Sequence, residues 1–187
     1  MSKRILIIGF VWPEPTSSAA GWRMLQLIKQ LKAYTSDIHF ACAALKSEAS
    51  FPLEDLGIIE HAIILNDDSF NTFISSLKPD IVVYDRFMIE EQFGWRVKQE
   101  LPDCLTILDT EDLHYVRKAR TVAFKNNTDV NFDTTDCYRE LTSIFRSAVV
   151  AMLSLVMVSC ASGEAKFSLG NNAPVVPMGV MKGKTTH

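Results

Sequence analysis

Apolar runs and amphipathic stretches alternate along this chain. Arg4 to Gly9, RILIIG, is a continuous apolar run of the kind that forms a strand buried on both faces. Trp22 to Leu31 places apolar residues at 24, 25, 28 and 31, which is helical spacing. Ile38 to Ala44 reads as a second strand, and Ile58 to Leu65, IIEHAIIL, as a third. Asp68-Ser69 can cap a helix running to Leu77. Pro79-Asp80 then introduces a fourth strand, Ile81 to Tyr84, and Ile89 to Glu100 reads as a helix stopped by Pro102. A fifth strand follows over Thr106 to Asp109, and helical patterns over Leu113 to Phe124 and Asp136 to Phe145. The stretch Lys125 to Asp136, rich in Asn, Asp and Thr, reads as an exposed loop. Strands alternating with helices in this way predict an α/β fold, a Rossmann-like three-layer domain with a mostly parallel sheet.

Two segments imitate membrane signals. Lys3-Arg4, an apolar stretch to Trp12 and small residues at 17–21 have the order of a signal peptide. The apolar stretch is short, however, and Pro13-Glu14-Pro15 interrupts the approach to any cleavage site, which favours a buried first strand followed by a loop. Ala148 to Ala161 has no charge over fourteen positions. A bilayer span needs about 20 apolar residues, so a buried strand or core helix is the expectation there. From Gly163 onward Gly, Asn and Pro recur, and the chain reads as a flexible tail.

Composition narrows the function classes. The 187 residues carry 19 Lys+Arg against 22 Asp+Glu, a net charge of −3, and 48% are hydrophobic. No basic surplus exists to neutralise phosphates, so a nucleic-acid partner is not expected. Enough apolar side chain is present to form a core, which excludes general disorder. The four cysteines, at 42, 104, 137 and 160, contain no C-x-x-C pair and read as reduced thiols of a cytoplasmic protein.

In an open parallel sheet, ligands bind beyond the carboxyl ends of the strands, so the loops after each strand are where chemistry is expected. After the first strand comes GFVWPEPTSSAAG, which does not fit G-x-G-x-x-G. Ser17-Ser18-Ala19-Ala20-Gly21 precedes a helix, whose start offers unpaired N–H groups. Arg23 falls in the expected first turn, where a cation is disfavoured by the dipole but suits an anionic ligand. The alternative is a capped helix with a tight turn and a solvated arginine. After the fourth strand, Asp85-Arg86 can orient a polar ligand or merely pair with each other. The fifth strand ends in the densest constellation, Asp109-Thr110-Glu111-Asp112-Leu113-His114. Such groups serve acid–base chemistry, hydroxyl recognition or a divalent metal, or they simply complement a helix start. His39 and His61 fall inside strand patterns and are expected at core or edge positions. Trp12, Trp22 and Trp95 are expected as packing residues.

Three segments together resemble the N-terminal domain of GT-B fold glycosyltransferases of the group 1 or family 4 type. They are RILIIGFVWPEPTSSAAGWRMLQLIKQL, KPDIVVYDRF and LTILDTEDLHYVRKAR, which span most of residues 3 to 146. The resemblance implies an acceptor-side domain over 1–146 that faces a separate donor-binding domain, with a nucleotide-sugar donor and a glycan or other hydroxyl acceptor as partners. It implies retaining transfer, with no metal or other cofactor. By motif, Ala20 and Gly21 would line the loop near the transferred sugar and diphosphate, and Asp109, Glu111, Asp112 and His114 would lie at the cleft floor; Ser18, Arg23, Asp85 and Arg86 join them as substrate-binding candidates. Asp112 and His114 would be the catalytic candidates. Residues 147–187 depart from the family pattern, and no Glu-rich donor motif is found there. The expectation is therefore a chain without its donor domain, truncated or frame-shifted, and inactive alone. A stand-alone anion-binding or sugar-phosphate-binding module and a non-functional remnant are the alternatives. No integral membrane span is expected; peripheral membrane contact would suit a lipid-linked acceptor.

Overall fold

The computed structural model describes residues 3–111, 113–132 and 135–147. It is an α/β domain built on a five-stranded, all-parallel sheet in the order β3-β2-β1-β4-β5. The strands are β1 (Ile5–Gly9), β2 (Ile38–Cys42), β3 (Ile59–Ala62), β4 (Ile81–Asp85) and β5 (Leu105–Asp109). The helices are α1 (Ala19–Leu31), α2 (Ser69–Leu77), α3 (Phe87–Glu100), α4 (His114–Asn126) and α5 (Thr135–Arg146). Among the described residues no helix is long and apolar enough to cross a membrane. The apolar run and tail of residues 148–187 lie outside the described residues.

Strand alternation sends side chains to two cores. Leu6 and Ile8 of β1 join Val82 and Tyr84 of β4 on one face, under Phe70 and Ile74 of α2 and Phe93 and Val97 of α3. Ile5 and Ile7 join Ile38, Phe40 and Val83 on the other face, under Met24, Leu25 and Ile28 of α1. All five residues of β1 and of β2 are buried, which explains why β1 reads as an unbroken apolar run and why β2 departs from one only at His39. Burying each such side chain contributes about 1.5–3 kcal/mol.

Three expectations need correction. Helix α1 begins at Ala19, not Trp22, because Ser18 is its N-cap: extended at φ −146°, it accepts the Gly21 N–H at 3.0 Å. Arg23 is therefore in the second turn, and the dipole argument made for it does not apply. Strand β3 stops at Ala62 instead of Leu65, because it is a short edge strand and Ile64 and Leu65 lie exposed beyond it. Of the three tryptophans only Trp12 is buried, on Phe40, with its Nε1–H donating to the Ala44 carbonyl at 2.7 Å. Trp22 and Trp95 are each 55% exposed, on the solvent faces of α1 and α3, where Lys29 and Arg96 lie over their rings.

Helices α4 and α5 pack differently. Among the described side chains of α5 the fully buried ones are polar, Glu140 and Ser143, with Ser147 buried just beyond the helix end, while Ile144 packs partly buried against the core. Glu140 accepts the backbone N–H groups of His114 and Tyr115 at 3.0 and 2.9 Å, satisfying two amides at the open start of α4. Arg146, at the other end of α5, clasps the buried Glu90 of α3 through Nε and Nη2 at 3.0 and 2.8 Å.

Candidate functional site

The strand order places a topological switch between β1 and β4. From β1 the chain winds outward through β2 and β3, then crosses back to β4 and proceeds to β5. In open parallel sheets the connections diverge at such a point, and ligands bind there beyond the carboxyl ends of the strands. Asp85 is the last residue of β4, and Asp109, paired with it in register, is the last of β5.

Both carboxylates are buried, and each is tied to a neighbouring element. Asp85 accepts the Phe10 N–H from the loop after β1 at 3.1 Å, bridging the switch. Asp109 takes both guanidinium nitrogens of Arg23, one at 2.7 Å, in a fork-to-fork pair that reaches from α1 to β5. Its Oδ1 also accepts the Glu111 N–H at 3.3 Å, and its carbonyl accepts the Arg86 N–H at 2.8 Å. Arg86 Nε lies 2.7 Å from Glu111 Oε2 and 3.6 Å from Asp85 Oδ1, and its guanidinium covers the Phe10 ring. The Arg86 Nε contacts are ion pairs without hydrogen-bond geometry.

Two of these residues hold strained backbones. Arg86 has φ 76° and ψ 155°, a region almost reserved for glycine, and Glu111 has φ 52°. Each such conformation costs about 1–3 kcal/mol and persists where surrounding contacts over-determine it. At Arg86 those contacts are the N–H bond to Asp109 and the pairing with Glu111.

Environment separates the charges. Burial alone would lower the pKa of Arg23, but Asp109 outweighs it, with smaller help from Glu111 and Asp85, so the guanidinium stays charged. Burial pushes the Asp85 carboxyl above the ordinary carboxylate range, while the Phe10 N–H and Arg86 pull the other way. A carboxyl whose folded pKa is raised binds its proton more tightly in the folded state. Stability is therefore fully present below the unfolded value, near 3.9, and declines as pH rises through the folded value. Asp85→Asn, which still offers Phe10 an acceptor, is expected to remove that decline. Urea unfolding of both proteins across the acid range checks it: the variant should gain on wild type as pH rises above about 4. Parallel profiles would show that Asp85 is fully compensated.

The sequence-derived candidates fall into three groups. Arg23, Asp85, Arg86, Asp109 and Glu111 form the single constellation just described. Ser18, Ala20 and Gly21 lie at the start of α1; Ser18 and Ala20 are accessible, while Gly21 is buried against the backbone of Glu14. His114 opens α4, with its ring edge-on to Phe87 and its Nδ1 3.8 Å from Glu140 Oε1. Asp112 lies outside the described residues. Among the described residues no three His, Cys, Asp or Glu side chains are grouped to hold a metal ion.

Sequence reasoning missed Glu140 and the Phe10 amide. Glu140 stands in a helix read only from its spacing, and nothing local marks it as buried. The Phe10 amide is a backbone donor, which residue identity never reports. Two cavities of about 480 and 500 Å³ share no residue with the constellation. One lies at the amino ends of β4 and β5 and the other between α3 and β4.

No family model, no curated protein and no solved structure matches the chain. The functional reading therefore rests on the residues and their arrangement.

Proposed function

We propose that this chain is the N-terminal, acceptor-side domain of a retaining, sugar-nucleotide-dependent glycosyltransferase of the GT-B type, and that a second domain must hold the donor. The observation that carries the proposal is the convergence of Asp85, Asp109 and Glu111 at the switch point, held in place by Arg23 and Arg86. Three carboxylates against two guanidinium groups leave no surplus cation. This balance suits a neutral, hydroxyl-rich ligand better than a free phosphate. Each sugar hydroxyl can donate to a carboxylate oxygen whose orientation is already fixed, which limits the ordering cost of binding. The accessible Ser18 and Ala20 then border the approach from α1, and Asp112 and His114 remain the candidates for direct contact with the reacting sugars. In this reading the nucleotide diphosphate falls to the donor domain, whose helix starts would stabilise it.

The test is transfer with a donor-side domain supplied in trans. The chain is mixed with a donor-side domain of the same fold type, nucleotide-sugar donors and glycan acceptors, and product is followed by mass. Product formation should require both halves. It should fall about tenfold or more in Glu111→Gln, since a hydrogen bond to a charged group contributes about 1.5–3 kcal/mol. Failure to transfer from any common nucleotide donor, together with no saturation-transfer NMR signal from any acceptor glycan, would end the proposal.

A further inference from the structure

Away from this site, three side chains line up across the sheet edge opposite β5. His39 of β2 and His61 of β3 are on the same face, since Ala41 is in register with His61 and His39 lies two residues before Ala41. His39 Nδ1 is 2.8 Å from His61 Nε2, and the rings stack with centroids 5.1 Å apart. The other nitrogen of His39, Nε2, is 2.9 Å from Asp37 Oδ1. Asp37 in turn accepts from Arg4 Nε through Oδ2 at 2.9 Å. His39 is buried and His61 half-buried, beneath the Phe73 ring of α2 at 4.9 Å. The charged groups facing the pair are thus Asp37, on the turn before β2, and Arg4 behind it, at the start of β1; α2 contributes only the uncharged Phe73.

Counting donors fixes what this chain of groups can hold. A carboxylate accepts, so His39 Nε2 carries a proton and donates to Asp37. The facing nitrogens, His39 Nδ1 and His61 Nε2, then have one proton to share. It sits either on His61, leaving both rings neutral, or on His39, leaving His39 as the cation next to Asp37. A second proton in the gap puts two N–H groups head to head at 2.8 Å, where no hydrogen bond is possible and two cations repel. We propose that the His39–His61 contact is an acid-sensitive latch: it joins edge strand β3 to β2 while the two imidazoles share one proton in the gap, and opens when that gap must hold two.

The energetics run in the same direction. Burial, and after it the charge on His39, lower the His61 pKa below its ordinary value. A histidine with a lowered folded pKa contributes stability that is fully present above the unfolded value, near 6.5, and is lost as pH falls toward the folded value. Across that window the unfolded chain takes up one proton more than the latch can hold. The folding equilibrium constant should therefore fall by up to about tenfold per pH unit from this source.

His61→Gln tests the latch, because an amide can turn either its oxygen or its NH₂ toward His39 and does not titrate. Unfolding free energies of wild type and variant are compared between about pH 7 and 5. The expected result is a wild-type decline that the variant lacks, with His114 and the carboxylates cancelling between the two. A parallel decline in both proteins would overturn the proposal. The second measurement needs no variant: long-range nitrogen–proton NMR of the wild-type imidazoles, with amide exchange followed in β3. Loss of β3 protection should accompany the second protonation. Two fully charged imidazoles with β3 amides still protected would refute the latch even if the variant does not fold.

Discussion

Arg23→Met should unfold about 2–3 kcal/mol more readily than wild type, mainly because of what it leaves behind. The Asp109 side chain is 5% exposed and loses its bidentate partner, with only the Glu111 N–H remaining on its oxygens. Stripping the partner from a buried ion is the expensive case. The loss falls short of the ~3–5 kcal/mol of a fully buried pair because the arginine side is 36% exposed, so water can reach the vacated space. Converting the abandoned carboxylate to an amide separates the pair from the penalty. Arg23→Met with Asp109→Asn should recover more than half of the loss in urea unfolding. If the double variant is as unstable as the single one, the guanidinium stabilises the site through packing of its stem and not through its charge. The same variants report on function. Asp109 presents its carbonyl to the strained Arg86, so disturbing the pair should loosen both halves of the constellation, and under the proposed acceptor role the Arg23→Met variant should bind glycans more weakly even where it is fully folded.

The fold was legible because the sheet is parallel and covered on both faces. Buried strands of this kind are short apolar runs, and RILIIG, the Ile38 segment and the Ile81 segment announce themselves without neighbours. Even the order of charged residues after β4 and β5 was readable, since Asp85, Arg86, Asp109 and Glu111 stand directly at the strand ends. Their mutual arrangement was not. That Arg23 reaches Asp109, 86 positions away, depends on how α1 lies over the sheet, and no local pattern encodes it. The start of α1 was misjudged for a related reason: Ala19 and Ala20 carry no amphipathic signal, and only the Ser18 cap marks the helix there. Glu140 was hidden by the opposite problem. Its helix mixes polar and apolar residues on the inward side, Glu140 and Ser143 beside Leu141 and Ile144, so apolar periodicity finds the helix but not the buried carboxylate. The histidine contact falls between these cases, since the strand parity of His39 and His61 was visible but the pairing register that joins them was not.

Gly21→Ala carries the other large expected effect. A Cβ built at Gly21 lies within 2.6 Å of the backbone N, C and O of Glu14, closer than real Cβ atoms approach. Side-chain tips can swing aside, but these are main-chain atoms of a loop fixed at several points. The Glu14 carbonyl accepts the N–H groups of Ser17 and Ser18, and its carboxylate accepts the hydroxyls of Ser17 and Ser47. The Pro13 carbonyl accepts the Phe51 N–H at 2.8 Å. Relieving the clash means moving this loop or tilting α1, and overpacking of this kind costs about 1–3 kcal/mol; the upper end applies because the opposing atoms are backbone. Gly57→Ala is the control. Gly57 has φ 69°, yet a Cβ there meets nothing within 4 Å, so only the conformational penalty of about 1–2 kcal/mol applies. Thermal unfolding should therefore rank Gly21→Ala below Gly57→Ala, and both below wild type. The reverse order would mean that the Pro13–Glu14 loop yields freely. It would then be a mobile rim of the crevice, and Gly21 would be needed for approach of a ligand instead of approach of the chain to itself.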